Sequence, residues 1–167
     1  MIKQLETLNL TSRAFYNDKL GPWTQYMTET FGFERAIFAN SGVEACETAV
    51  KFARRWAYDV KKVPDNEARV LFANENFWGR TLAACASSND PDRYRRFGPF
   101  NGLNFDLIDY NNIDQLEKAL QSSPNYAAFM IEPIQGEAGV IIPDAGYLKK
   151  VREICDKYNV LLIFDEV

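Results

Sequence analysis

Short apolar segments alternate with helix-patterned segments along this chain, and this alternation restricts its fold more than any other feature. The apolar segments have the character of strands buried on both faces, and they cover residues 35–39, 69–73, 105–108, 127–131 and 160–164. Continuous apolar strands separated by helices are typical of parallel sheets that helices cover on both sides. The pattern therefore predicts an α/β fold with three layers (αβα) and a mostly parallel sheet.

Helix boundaries follow from capping and stop signals. Pro22 and Gly32 bound a first predicted helix, because proline suits a first helical turn and glycine suits a helix end. Ser41 and Glu44 have the spacing of a capping box, which predicts a helix that continues to about Tyr58. Further helices are predicted from near Arg80, near residues 114–120 behind an Asn112 cap, and from an Asp144 cap to Tyr158.

Composition and charge exclude several classes of function. The chain has 167 residues, a formal net charge of −4 and a pI near 5.0, which disfavours nucleic-acid binding because that requires clustered Lys and Arg. It contains no histidine, which excludes a Ser–His–Asp or Cys–His centre and a His-ligated zinc site within it. No segment approaches the ~20 apolar residues of a membrane span, and the first residues lack the pattern of a signal or transit peptide.

Cysteines and clustered arginines have simpler interpretations than a site. Cys46, Cys85 and Cys155 lie far apart in apolar or helical segments, and we interpret them as reduced thiols of the core. The basic segment 93–96 lies among acidic residues next to a proline and a glycine. Such mixed composition is typical of a solvated loop.

The segment Asn40-Ser41-Gly42-Val43 follows the first predicted strand and opens a helix. Ligands of open parallel sheets bind beyond the carboxyl ends of the strands, and the free N–H groups of a first helical turn attract anions. Gly42 would let an anion approach the backbone closely. The segment predicts either a phosphate-binding site or a well-capped helix without a ligand.

Phe77, Trp78 and Arg80 follow the second predicted strand. Adjacent aromatic side chains on a loop can supply a flat contact for a planar ring. The planar guanidinium of Arg80 can bind a carboxylate. The alternative is that both aromatic side chains pack into the core and that Arg80 pairs with a surface acid.

Carboxylates follow the last two predicted strands. Glu132 and Glu137 flank a loop that contains proline and glycine, and they are candidates either for pairing with a cation or for solvated positions in a turn. Asp165 follows a fully apolar strand, so we expect it to be half buried and to require a partner. A protonated ring nitrogen would satisfy Asp165, as would a cap or an ordinary ion pair.

Taken together, these strings resemble the class III aminotransferases, enzymes of fold type I that use pyridoxal 5'-phosphate. The strings that carry the resemblance are 10–16, 41–49, 76–81, 97–100, 128–140 and 165–167. The resemblance covers the whole chain and implies that residues 1–167 are part of the large cofactor-binding domain, without the small C-terminal domain. Trp78, before Gly-Arg-Thr, places the resemblance nearest to the ornithine branch of the family.

Roles of individual residues follow from the resemblance. It implies cofactor-binding roles for Ser41, Gly42, Val43, Phe77, Trp78 and Asp165. It implies substrate-binding roles for Arg80, Glu132 and Glu137. Backbone N–H groups of the first segment would hold the phosphate, Phe77 would stack on the pyridine ring, and Asp165 would pair with its protonated nitrogen. Arg80 would bind a substrate carboxylate, and Glu137 would mask an arginine from a later part of the protein.

The expected reaction transfers the δ-amino group of ornithine to 2-oxoglutarate and yields glutamate semialdehyde and glutamate. In the family, the lysine that attaches the cofactor lies on a later strand, and no lysine of this chain matches it, so we expect a fragment that is inactive alone. Full-length family members are usually homodimers in the cytoplasm or the mitochondrial matrix. The alternatives are an acetylornithine or 4-aminobutyrate aminotransferase, and a non-catalytic paralogue that binds the cofactor or a partner subunit.

Overall fold

The computed structural model describes residues 1–12 and 14–167, so Arg13 of the string 10–16 lies outside the described residues. The described residues form two compact units, Met1–Phe38 and Ala39–Val167. The first unit contains α1 (Ile2–Leu5), which the sequence did not predict, and α2 (Leu20–Phe31). Gly32 ends α2 with a φ of 72°, as predicted. Pro22 is the third residue of α2 rather than the first. Proline is tolerated at this position because the N–H groups of the first three helical residues have no intrahelical acceptor.

The second unit contains the sheet and the helices that cover it. Its helices are α3 (Gly42–Asp59), α4 (Leu82–Ala86), α5 (Pro91–Tyr94), α6 (Ile113–Ser122) and α7 (Tyr147–Lys157). Its strands are β1 (Arg69–Ala73), β2 (Phe105–Ile108), β3 (Tyr126–Ile131) and β4 (Leu161–Phe164). The strands are all parallel in the order β2-β1-β3-β4, which confirms the predicted α/β class.

Alternate residues of β1 pack on opposite sides of the sheet. On β1, Val70 and Phe72 join the apolar cluster beneath α3, whereas Leu71 and Ala73 join the cluster beneath α6 and α7. All four side chains are at most 1% exposed. Burying a large apolar side chain contributes roughly 1.5–3 kcal/mol, so the two clusters hold the three predicted layers together.

Three local predictions were wrong. Residues 35–39 are mostly apolar but do not form a strand and do not join the sheet. A strand requires a neighbour for its N–H and C=O groups. Asp144 does not cap α7. Gly146, with a φ of 84°, occupies the N-cap position, and Asp144 instead accepts the N–H of Tyr147 through its carbonyl oxygen at 3.0 Å. Arg80 precedes α4 rather than lying in its first turn, since Thr81 is the N-cap.

The predicted solvated loop around residue 93 is also partly wrong. Asp90 caps the short helix α5, and Arg93 on that helix is half-buried, whereas Arg95 and Arg96 are exposed. The three cysteines are free thiols; Cys46 and Cys155 are buried and Cys85 is partly buried. Within the described residues, no helix has the length and apolar character needed to cross a membrane.

Candidate active site

A cavity of about 320 Å³ opens at the carboxyl ends of β1, β3 and β4, beside the start of α3. Its lining residues are Gly42, Val43, Cys46, Phe77, Trp78, Gly79, Glu132, Gly136, Glu137, Asp165 and Val167. Most of the predicted site residues therefore meet in one place. Ser41 and Arg80 are the two that do not line this cavity.

The first turn of α3 supplies unpaired donors to the cavity. The Ser41 side chain accepts the N–H of Glu44 at 3.4 Å, as expected of a capping box, while the Glu44 carboxylate accepts the N–H of Asn40 at 2.8 Å. The N–H groups of Gly42 and Val43 have no acceptor among the described residues. Two free N–H donors at the positive end of a helix can bind an anion.

Glycines permit close packing on both sides of this helix start. A Cβ added to Gly42 would lie 2.8 Å from a methyl group of Val167, and one added to Gly79 would lie 2.3 Å from Cγ2 of Val43. Gly79 also has a φ of 138°, which other residues rarely adopt. Both positions therefore require glycine for the loop after β1 and the last residues to reach α3.

Glu132 connects the loop after β1 to the loop after β3. One of its carboxylate oxygens accepts the N–H of Phe77 at 3.1 Å, and the other accepts the N–H of Gly136 at 3.0 Å. Burial raises the pKa of Glu132, and these two backbone donors partly counteract the rise. Glu132 thus orients the two loops. It does not occupy the solvated turn position that one interpretation of the sequence allowed.

The two adjacent aromatic residues have different environments. The indole of Trp78 is 5% exposed, stacks on Phe72 with ring planes 2° apart, and donates its N–H to the Ser87 hydroxyl at 2.8 Å. Phe77 is only partly buried. Arg93 lies over its ring, with Cζ 4.8 Å from the ring centroid. The alternative that both aromatic side chains pack into the core is therefore correct for the indole of Trp78. Phe77 has the more accessible ring of the two.

Asp165 is 7% exposed at the end of β4. Its carboxylate accepts the N–H of Val167 at 3.2 Å, and no described lysine or arginine forms an ion pair with it. Burial raises its pKa. Burial, followed by the neighbouring charge of Asp165, also raises the pKa of Cys46 to about 12, so this thiol stays protonated. A buried carboxylate without a cation favours a cationic ligand in the cavity.

A second cavity, of about 440 Å³, adjoins the first. Phe77, Gly79 and Glu137 line both cavities. The residues that line only the second are Arg80, Leu82, Cys85, Asp90, Asp92, Arg93 and Phe97. Arg80 is exposed and forms no ion pair with the described acids. The second cavity thus offers an accessible guanidinium next to the cavity that Gly42, Val43 and Phe77 line.

Sequence reasoning missed several residues of the two cavities. Cys46 was assigned only to the core, although its position one turn after Gly42 on α3 could have placed it at the same edge. Gly79 and Gly136 carried no signal beyond their occurrence in loops. Arg93 was interpreted as solvated, and its contact with Phe77 depends on a one-turn helix that composition did not reveal.

The sequence of this chain is similar to that of a known protein family. The class III aminotransferase family matches over residues 1–167. A probable mitochondrial ornithine aminotransferase of Caenorhabditis elegans is 58% identical over 99% of this chain. That match covers 39% of the relative, so the chain spans about two fifths of the length of the curated proteins it resembles.

Solved structures agree in both fold and sequence. An ornithine aminotransferase of Toxoplasma gondii, crystallised with partial occupancy of PLP at its active site, matches with a TM-score of 0.94 and 52% identity. The match covers 98% of this chain and 38% of that one. An acetylornithine aminotransferase of Elizabethkingia anophelis matches with a TM-score of 0.82 and 50% identity, over 99% of this chain and 40% of that one.

Proposed function

This chain belongs to the class III aminotransferase family, and we propose that the protein containing it transfers the δ-amino group of ornithine to 2-oxoglutarate. The products would be glutamate semialdehyde and glutamate, and pyridoxal 5'-phosphate would be the cofactor. The observation that carries the proposal is the first cavity, which combines two free backbone donors, an accessible aromatic ring and a buried carboxylate.

The groups that line this cavity fit the cofactor in their chemistry. The N–H groups of Gly42 and Val43 would bind its phosphate, with Ser41 holding the helix start through its cap. Phe77 would stack on the pyridine ring, and Trp78 would support the loop that carries Phe77 by packing on Phe72. Asp165 would keep the ring nitrogen protonated. When bound, the cofactor supplies the electron sink for the reaction. The buried Asp165 has the raised pKa expected of a carboxyl group that lacks a cation.

Substrate binding would use the second cavity. The guanidinium of Arg80 would bind a substrate carboxylate in bidentate fashion. Glu137 is exposed and lines both cavities, which suits an acid that pairs with an arginine from elsewhere in the protein and releases it when the second substrate binds. Glu132 would support the site by holding the loops that carry Phe77 and Gly136.

The named relatives favour ornithine as the amino donor, but the acetylornithine aminotransferase of E. anophelis has a similar fold and identity. The two activities differ in whether the α-amino group of the donor is free or acetylated. A non-catalytic protein that binds the cofactor or a partner subunit is the alternative outside the enzyme class. We further propose a homodimer, in the mitochondrial matrix or the cytoplasm, with no nucleic-acid or membrane partner.

The test is to incubate the full-length protein with pyridoxal phosphate, 2-oxoglutarate and one amino donor, and to measure glutamate. We expect ornithine to support at least tenfold more turnover than acetylornithine or 4-aminobutyrate. A reversed preference would select the sister activity. Cofactor binding without turnover on any donor would select the non-catalytic alternative, and gel filtration of the same sample would test the dimer.

A further inference from the structure

Arg93 makes three contacts, and two of them involve Phe77 or the peptide unit that precedes it. Its Cζ lies 4.8 Å from the centroid of the Phe77 ring. Its Nη1 donates to the carbonyl oxygen of Asn76 at 3.0 Å, and its Nε pairs with Asp90 at 3.1 Å. We propose that Arg93 is a positioning residue that fixes the plane of the Phe77 ring for stacking on the cofactor, an inference that rests on the proposed function.

One peptide group explains how this works. The carbonyl oxygen of Asn76 and the N–H of Phe77 belong to the same planar peptide unit. Arg93 donates to the carbonyl end, and Glu132 accepts from the N–H end at 3.1 Å. Opposite charges therefore hold the two ends of the unit that precedes the ring, and hydrogen bonds to charged groups are stronger than neutral ones.

The guanidinium also restrains the ring itself. Phe77 lines both cavities, whereas Arg93 lines only the second. The guanidinium thus approaches the ring from the side of the second cavity and leaves the ring available to the first. A planar guanidinium over an aromatic ring combines cation–π attraction with stacking, so it limits both tilt and rotation of the ring.

A simple surface ion pair would not account for this arrangement. The side chains of Arg93 and Asp90 are 30% and 35% exposed, so both are half-buried. Asp90 occupies one edge of the guanidinium and caps α5, which aims the remaining donors at the loop of Phe77. An arginine with three fixed partners loses little further freedom when the cofactor binds.

The experiment compares Arg93→Met with Arg95→Met in the full-length protein. Each substitution removes one positive charge from the same segment, but Arg95 is exposed and lines neither cavity. Among the described residues, only Arg93 makes a cation–π contact with Phe77 and a side-chain hydrogen bond to the carbonyl of Asn76. We expect Arg93→Met to raise the Kd for pyridoxal phosphate about threefold to tenfold, and Arg95→Met to change it by less than about twofold. Arg93→Lys, which keeps the charge and can still donate a hydrogen bond but lacks the planar fork, should restore part of the affinity.

Two further measurements separate positioning from a general loss of stability. Without cofactor, amide hydrogen exchange at Phe77 should be faster in Arg93→Met than in Arg95→Met. At saturating cofactor, the circular dichroism induced in the bound cofactor should fall only in Arg93→Met, because it reports ring orientation. Equal affinities, exchange rates and dichroism in the two variants would overturn the role of Arg93. Failure of the unsubstituted protein to bind pyridoxal phosphate would instead overturn the proposed function, and the exchange comparison would still test Arg93.

Discussion

Gly79 packs directly against Val43, and a Cβ at Gly79 would lie 2.3 Å from the Cγ2 atom of Val43. This contact places the loop after β1 against the helix start that supplies the free N–H groups. It therefore joins the proposed ring-binding residue Phe77 to the proposed phosphate-binding residues.

We predict that Gly79→Ala lowers the free energy of unfolding by about 2–4 kcal/mol, the sum of overpacking and backbone strain. The φ of 138° at Gly79 disfavours alanine even where space exists. Chemical denaturation measures this change, and pyridoxal phosphate titration should show weaker binding. Gly136→Ala is the matched control, since a Cβ there meets no atom within 4 Å; similar losses in both variants would contradict the prediction.

Asp165→Asn should stabilise the protein without cofactor while weakening cofactor binding. Burial raises the pKa of Asp165 above its ordinary value of 3.8. The folded state therefore binds a proton more tightly than the unfolded state, and stability falls as pH rises from about 3.8 through the raised pKa. Asparagine does not titrate, so the variant lacks this loss. At pH values above the raised pKa of Asp165, we expect its free energy of unfolding without cofactor to exceed that of the unsubstituted protein by on the order of 1 kcal/mol.

The same substitution should raise the Kd for pyridoxal phosphate by roughly tenfold to a hundredfold, because the charge-assisted bond to the ring nitrogen is lost. Unfolding curves at several pH values and cofactor titration at neutral pH measure the two effects. Asp65→Asn, at an exposed position, controls for the change in net charge. A variant that is less stable without cofactor and binds it normally would argue against a cation site at Asp165.

Most of the fold was predictable because its signals are local. Each of the four strands is a short apolar segment, and the caps at Ser41 and Asn112 are readable from spacing. The cavity residues after β1, β3 and β4 followed from one rule, that parallel strands present their carboxyl ends at one edge. Gly42 and Val43 were assigned by the same rule to the end of a strand that does not form, and only the helix-capping signal at Ser41 was correct there. The strand predicted over residues 35–39 was wrong, because apolar composition indicates a tendency to extend but does not show that a neighbouring strand is available for pairing.

The support of Phe77 was not predictable, because it depends on distant contacts. Glu132 is 55 residues from Phe77, and Arg93 is 17 residues from Asn76. Nothing in the spacing of a charged residue shows which peptide unit it will contact. Trp78 illustrates the same limit: its sequence neighbours indicated a site, whereas its indole packs on Phe72 and bonds to Ser87.

The Trp78–Ser87 hydrogen bond yields a stability prediction. Trp78→Phe removes the indole N–H and leaves the buried Ser87 hydroxyl without that donor, so we expect a loss of about 1–3 kcal/mol. Ser87→Ala should cost a similar amount, because it leaves the buried indole N–H unpaired. The double variant should lose less unfolding free energy than the two single variants together, because each single substitution already removes the same hydrogen bond. Additive losses, measured by denaturation, would show that the bond does not stabilise this loop.

Arg80→Lys tests the proposed carboxylate site without changing charge. Lysine keeps the cation but lacks the planar fork that binds a carboxylate through two hydrogen bonds. We expect KM for ornithine and for 2-oxoglutarate to rise about tenfold in the full-length protein, with the Kd for pyridoxal phosphate unchanged within about twofold. Stability should change by less than about 0.5 kcal/mol, because Arg80 is exposed.

The control for Arg80→Lys is Arg95→Lys, a charge-conserving substitution at another exposed position outside both cavities. Arg95→Lys should leave both KM values and the cofactor Kd unchanged. If Arg80→Lys also leaves KM unchanged, a substrate carboxylate does not bind at Arg80, and the second cavity has another role. If it weakens cofactor binding and leaves KM alone, Arg80 belongs to the cofactor site, since a substrate-only contact cannot alter the affinity measured without substrate.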